Sequence, residues 1–302
     1  MSTIPYPCPI RKPLIPGRTK PYTPSEPKQG AKHKPMTIAL GFNCVDGIVL
    51  CSDSQMTSPL AQLKFYESKV HTISGFDSHN LWTVGLTCAG DLAVFKSLFH
   101  KLKDVLMSHK GMLDHIFVAE ALQQMLNDVH ANSLDIDREF VDVICGVSIN
   151  DHPIKTTMYV SKRTTLHEED DVAFAGVGDS SLSRFLASTL PVVASPMFTK
   201  RALLLGVYII EQAKEFIDGC GGDIGAVILN GNGGFNLCDN RIPDCLNNVT
   251  TLVGAMHSTT QGLFSALTDP DLNTNLLEQE IQNAKLKINQ FYDAADSFPT
   301  VP

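Results

Sequence analysis

The sequence predicts an α+β fold in which two antiparallel sheets pack together with helix layers outside. Three observations carry this. The hydrophobic pattern runs as strands, two helices, strands, two helices, strands, so helices come in pairs between groups of strands and do not alternate with single ones. The first two β-rich runs, Thr37–Asn43 and Gly47–Ser52, flank an Asp46-Gly47 turn signal and read as a hairpin. Leu92, Phe95, Leu98, Phe99, Leu102 and Leu106 recur at a helical period.

Taken in chain order, the hairpin is joined through Cys44-Val45-Asp46, and Lys69–Ser74 and Leu81–Cys88 read as two more strands. Asp91 carries the short carboxylate of a helix N-cap, and the helix it opens runs to Leu106. Ile116–Val129 is a second helix. Val141–Ile149, Thr156–Ser161 and Val172–Val177 are strands. Helices follow over Ser180–Leu190 and Thr199–Asp218, the latter ended by Gly219 and the glycines after it. Asp223–Leu229 is a strand, and Gly231-Asn232-Gly233-Gly234 turns into Phe235–Cys238. Leu276–Phe291 is a final amphipathic helix, whereas residues 239–275 show too little periodicity to assign.

The chain has 302 residues, 43% hydrophobic and 19% charged, a globular composition that excludes a disordered or fibrous chain overall. Its net charge of -8 argues against a general nucleic-acid binder, which needs basic surface to neutralise phosphates. The longest apolar run, Ala202–Ile210, is far short of a membrane span and reads as a buried helix. The total conceals a split. Residues 1–36 hold 9 of the 17 prolines, seven basic residues and one acid, Glu26, so this segment is +6 and the other 266 residues are -14. Nine prolines remove backbone donors and fix φ, and few apolar residues are present to offset the entropy of ordering. Residues 1–36 therefore read as an extended basic arm or removable pro-segment, and residues 37–302 as the folded domain, with a C-terminal extension from about residue 239. The arm has no continuous apolar stretch of the kind a secretory signal needs.

The eight cysteines, Cys8, Cys44, Cys51, Cys88, Cys145, Cys220, Cys238 and Cys245, include no C-x-x-C pair, which removes zinc-ribbon and thioredoxin readings. Most lie inside apolar runs and read as reduced core thiols of a cytoplasmic protein. No H-E-x-x-H, G-x-S-x-G or phosphate-binding G-x-x-x-x-G-K motif occurs, and His167-Glu168-Glu169-Asp170-Asp171 reads as a solvated acidic loop.

The chemistry lies at the boundary between the two parts. Cutting the chain before Thr37 would give that residue a free α-amine beside its own hydroxyl. A threonine hydroxyl is a poor nucleophile unaided, but an amine with a reference pKa of roughly 7.7–8.0 accepts its proton near neutrality. A neighbouring ammonium keeps that amine neutral by repulsion and stabilises an alkoxide-like oxygen, and a carboxylate holds the ammonium charged and oriented. Asp53, 16 residues after Thr37, ends the second hairpin strand, and Lys69, 32 residues after Thr37, opens the next strand. On spacing alone they read equally as a capping aspartate and a strand-edge lysine.

The surrounding blocks decide between these readings. Thr37-Ile-Ala-Leu-Gly-Phe42, Asp46-Gly47-Ile-Val-Leu50, Ser52-Asp53-Ser54-Gln55 and Ser68-Lys69-Val-His-Thr-Ile73 resemble proteasome β-type subunits and their bacterial relatives HslV and Anbu. Gly85-Leu-Thr-Cys-Ala89-Gly90-Asp91, Ala175-Gly-Val-Gly178 and Gly221-Gly222-Asp-Ile-Gly-Ala-Val-Ile-Leu229 resemble later blocks of that family. The resemblance implies an N-terminal-nucleophile (Ntn) hydrolase with a four-layer αββα sandwich. It implies Thr37, Asp53 and Lys69 as the catalytic set, Gly90 as the backbone donor to the oxyanion, and Gly178 and Asp218 as supporting residues. Three positions depart from the family pattern. Val177 stands where the family often has Ser, Asp218 is displaced by a residue from the usual Asp, and Met36 precedes Thr37 where many precursors have Gly. Met36 fits an initiator removed by an aminopeptidase.

The reading that follows is a threonine-type endopeptidase acting on peptides or unfolded protein, in a ring-shaped homo-oligomer of like subunits. It needs no metal or organic cofactor, nucleic acid or membrane. Analogy with HslV suggests an ATPase partner, which no sequence feature demonstrates. Two alternatives stand beside it: a non-catalytic, proteasome-like scaffold that keeps its arm, and an Ntn amidohydrolase acting on a small amide. Met56, Gln62 and Ala93 are candidate pocket residues.

Overall fold

The structure, a computed structural model, describes residues 37–57, 64–77, 80–131, 141–150, 154–162, 164–176, 197–230, 233–236 and 243–268, with short helical pieces between 278 and 286. The predicted helix over Ser180–Leu190 and the whole of residues 1–36 lie outside the described residues.

The hairpin forms as expected. β1 (Ile38–Cys44) and β2 (Gly47–Asp53) pair antiparallel from Cys44↔Gly47 to Ala39↔Ser52 across a two-residue turn. β3 (Gln55–Thr57) and β4 (Lys64–Tyr66) form a separate two-stranded ribbon. β5 (Val70–Phe76) and β6 (Leu81–Ala89) precede the helices α1 (Leu92–Ser108) and α2 (His115–Ala131). β7 (Asp142–Ile149), β8 (Lys155–Lys162), β9 (Thr165–Glu168) and β10 (Val172–Gly176) follow. Next come α3 (Thr199–Phe216), β11 (Ile224–Asn230), β12 (Gly233–Asn236) and α4 (Pro243–Thr268).

Among the described residues two five-stranded sheets form, ordered β10-β1-β2-β11-β12 and β5-β6-β7-β8-β9, with all the pairings antiparallel. The buried residues fall into three apolar clusters, and strand alternation explains why. Ile38, Leu40, Phe42, Val49 and Cys51 face Leu203, Val207 and Ile210 of α3. Val84, Leu86, Cys88, Val143, Cys145 and Val147 face Phe95, Leu98 and Leu102 of α1 and Leu122 and Leu126 of α2. The opposite faces meet each other through Ala39, Leu50, Ile144, Met158, Val227 and Leu229. The fold is therefore mixed α+β, built on antiparallel sheets.

Local chemistry sets the helix starts. The Asp91 carboxylate accepts from the main-chain N–H groups of Ala93 (2.8 Å) and Val94 (3.1 Å), an N-cap as predicted. Phe198 has no capping side chain, and α3 borrows one from the hairpin turn: Asp46 accepts from the Thr199 N–H at 2.8 Å and from its hydroxyl at 2.9 Å.

Four elements were not predicted. β3, β4 and β9 are too short to show a period. His167 and Glu168 end β9, correcting the loop assignment, while Asp170 and Asp171 beyond them are exposed. The 26-residue α4 covers most of residues 239–275, where the sequence shows little helical period because its Thr, Ser, Asn and Gly residues disfavour helices. Thr259 and Thr268 turn their hydroxyls back to the carbonyls of Ala255 and Phe264, both at 2.9 Å, which satisfies them within the helix. Among the described residues no helix is long and apolar enough to cross a membrane.

Candidate active site

Thr37 lies one residue before β1, and Asp53 ends β2. Because the two strands are antiparallel and in register, both residues fall at the end of the sheet opposite the hairpin turn. Lys69 lies one residue before β5 and so reaches this end from the second sheet. The fold thus brings together three residues separated by 16 and 32 positions in sequence.

The resulting bonds form a closed set. The Thr37 hydroxyl donates to Asp53 Oδ1 at 2.8 Å and accepts from Lys69 Nζ. Lys69 Nζ also donates to Asp53 Oδ1 at 2.8 Å and to the Gln55 main-chain carbonyl at 2.6 Å. An ammonium has three donors, and here all three have acceptors. Asp53 Oδ1 receives a third bond from the Ile38 N–H at 3.2 Å, and Oδ2 receives the Gly221 N–H at 3.1 Å. Thr37, Asp53 and Lys69 are 3%, 0% and 1% exposed. Charges this deeply buried persist only when paired and hydrogen-bonded, and both conditions are met.

A second layer holds the carboxylate in place. The turn after α3 lies against residues 53–55. The Gln55 N–H donates to the Gly221 carbonyl at 2.9 Å, and the Asp223 N–H donates to Ser54 Oγ at 2.8 Å. Gly222 has φ +75° and faces Ser54 Oγ and the Tyr66 ring closely enough to exclude a side chain. Burial pushes the Cys220 thiol up to about 12, with Asp53 adding and Lys69 opposing. Burial also raises Cys88, opposed by Lys69 and reinforced by Asp53 and Asp91. Both thiols are therefore held neutral beside the ion pair.

Gly90 sits between the end of β6 and the Asp91 cap of α1, with φ +111° that a side chain rarely tolerates. Asp218 is exposed in the turn after α3 and makes none of these bonds. Gly178 and Val177 lie outside the described residues, as does Gln62. Met56 is half-buried against the cluster that includes α1 and α2, and Ala93 is exposed on the first turn of α1. Sequence reasoning singled out the three reactive side chains. It did not assign the Gln55 carbonyl or the Gly221 N–H, because main-chain atoms have no residue-type signature; only the Ser52–Gln55 and Gly221–Gly222 blocks pointed to their neighbourhood. Among the described residues no group of three or more His, Cys, Asp or Glu side chains is placed to hold a metal.

No protein-family model and no curated protein matches the sequence. Solved structures do match. An Anbu (Gly-1) mutant from Hyphomicrobium sp. strain MC1 superposes with a TM-score of 0.60 at 14% identity, covering 78% of this chain and 99% of that one. Anbu, described as an ancestral β-subunit, from Yersinia bercovieri gives 0.60 at 13% identity over 78% and 99%. The Anbu complex of Pseudomonas aeruginosa, solved as a helical assembly, gives 0.58 at 14% identity over 78% and 98%. At these identities the likeness establishes the fold, which this chain shares with the Anbu structures.

Proposed function

We propose that this chain is a threonine-type endopeptidase of the proteasome β, HslV and Anbu kind, on a four-layer αββα fold, with Thr37 made N-terminal by removal of residues 1–36. The observation that carries this reading is the single ammonium of Lys69, donating at once to the Thr37 hydroxyl, the Asp53 carboxylate and the Gln55 carbonyl.

In the intact chain the Thr37 hydroxyl donates a hydrogen bond to Asp53 Oδ1 and keeps its proton. Once the α-amine is free, that proton transfers to the amine as Oγ1 attacks the substrate carbonyl carbon. Lys69 stabilises the developing charge on Oγ1, and the Gly90 N–H faces the oxyanion of the tetrahedral intermediate. Collapse breaks the C–N bond, the Thr37 α-ammonium returns the proton to the leaving amine, and an ester on Thr37 Oγ1 remains. Water then attacks the ester as the α-amine takes its proton, and that proton passes to Oγ1 as the C–O bond breaks, so the acid product leaves with the Thr37 hydroxyl and free α-amine restored. Like subunits in a ring or helical assembly are the expected partners, by analogy with the neighbours, and analogy with HslV, not with these neighbours, is what suggests an ATPase partner. The fold alone does not choose peptide over a small amide.

Intact-mass measurement with N-terminal sequencing of the purified assembly, followed by fluorogenic peptide hydrolysis, tests this. A chain beginning at Thr37, with turnover abolished in Thr37→Ala while assembly persists, is expected. A chain that keeps residues 1–36 in the assembled particle establishes the scaffold reading instead, and turnover of a small amide but not of peptides establishes the amidohydrolase.

A further inference from the structure

Gly176 ends β10 and pairs with Ile38 in β1, one residue from the proposed nucleophile. Its φ is +69°, in the left-handed region. A Cβ built there would lie 2.3 Å from the Thr37 carbonyl oxygen and 2.6 Å from the Ala89 Cβ. Ala89 is 2% exposed and is the last residue of β6, immediately before Gly90. Gly176 therefore lies between the main chain of the nucleophile and the strand end that carries the oxyanion donor. Neither neighbour is the far end of a flexible side chain: one is backbone, and the other is a Cβ fixed to a buried strand. A side chain at 176 would have to push the two sheets apart at the catalytic end.

We propose that Gly176 is a positioning residue, whose missing side chain sets the separation between Thr37 and Gly90. This rests on the peptidase reading of the same site. Neither residue's chemistry involves Gly176 directly, so the effect is geometric: the nucleophile and the oxyanion donor must both reach one carbonyl group, and a displacement of about 1 Å costs on the order of 10²-fold in rate. Gly90 and Gly176 thus serve different needs, Gly90 so that a carbonyl can approach its N–H and Gly176 so that the sheets can close behind Thr37.

The test compares Gly176→Ala with Gly47→Ala in the full, assembled protein. Gly47 is a matched control. It also has positive φ (+152°), and its Cβ would meet a main-chain oxygen, that of Leu229, at 2.2 Å. It lies at the hairpin end of β1 and β2, away from Thr37 and Asp53. Both variants should lose thermal stability. Only Gly176→Ala should lose about 10²-fold in kcat with KM nearly unchanged. A parallel change in the two variants, following the folded fraction alone, overturns the proposal. If Gly176→Ala does not fold, Ala89→Val fills the same gap from β6 without straining φ at 176, and the same loss of kcat is expected. A crystal structure of whichever variant folds decides the matter independently of turnover. A widened Thr37-to-Gly90 separation supports the spacer role, and an unchanged one overturns it. Absence of Thr37-dependent turnover in the wild type would instead count against the peptidase reading, leaving the measured separation to judge Gly176.

Discussion

Lys69 Nζ lies 2.6 Å from the main-chain carbonyl oxygen of Gln55, and this contact turns a simple ion pair into a fixed tripod. Asp53 and Thr37 supply the other two acceptors, so the ammonium has no freedom to rotate away from the hydroxyl. The Gln55 carbonyl is itself held, because the Gln55 N–H is bonded to Gly221.

A compact ammonium suits three acceptors that converge on one point, whereas a planar guanidinium presents its donors as a fork. Lys69→Arg should therefore fail to restore activity despite keeping the charge, with a loss of at least about 10²-fold in kcat. Lys69→Met strands the Asp53 carboxylate in a site with 0% exposure and should destabilise the fold by about 3–5 kcal/mol. Peptide hydrolysis and urea denaturation measure the two effects, and wild-type turnover in the arginine variant would contradict the tripod.

The Asp46 cap of α3 predicts a change in stability without a change in chemistry. Asp46→Ala removes two hydrogen bonds to Thr199 and should lower stability by about 1–2 kcal/mol, read from the urea midpoint. The kcat of the folded fraction should be unaffected, since Asp46 lies at the end of the hairpin away from Thr37.

The buried thiols make the fold sensitive to alkali. Burial raises Cys44, Cys145 and Cys220 to about 12 from an ordinary 9.0. Above 9 the unfolded chain releases these protons before the native one does, so the unfolded state gains. Stability is full below about 9 and is lost as pH rises towards 12, by about 1.4 kcal/mol per pH unit for each thiol. Urea midpoints across this range should fall accordingly, and triple replacement by Ala or Ser should flatten the fall. At pH near 8, a thiol reagent should label these cysteines only after unfolding.

His71 acts in the opposite direction. It lies on β5 with its ring 5.6 Å from Phe95 and 5.0 Å from Phe99, and its buried Nε2 has no hydrogen-bond partner among the described residues. Burial lowers its pKa below the ordinary 6.5, a bond with the Ser68 main chain opposes this, Lys96 and His100 add to it, and Glu67 opposes. As pH falls through 6.5 the unfolded chain protonates first, so this residue's contribution is present above that pH and is lost below it. The stability difference between wild type and His71→Gln should therefore shrink between pH of about 7 and about 5. A difference that grew on acidification would refute the assignment.

The architecture was legible wherever a local rule operates. The Asp46-Gly47 hairpin, the Asp91 cap, the alternating strands of both sheets and the apolar stripe of α1 all follow from chemistry acting within a few residues. α4 was hidden because its Thr and Ser residues look unhelical until their hydroxyls are seen bonded to carbonyls one turn back. β3 and β4 were hidden because three residues show no period.

The same division runs through the site. Thr37, Asp53 and Lys69 could be named from residue type and spacing, since nucleophile, carboxylate and ammonium are properties of side chains. Which atoms hold them could not. The Gly221 N–H that orients Asp53 comes from 168 residues away. The Gln55 carbonyl is a main-chain atom that any residue would supply, and the glycine that abuts Thr37 is Gly176, in the same block as the Gly178 named from sequence. Long-range packing brings main-chain groups together without regard to side-chain identity, so those positions emerge only when the sheets close on each other.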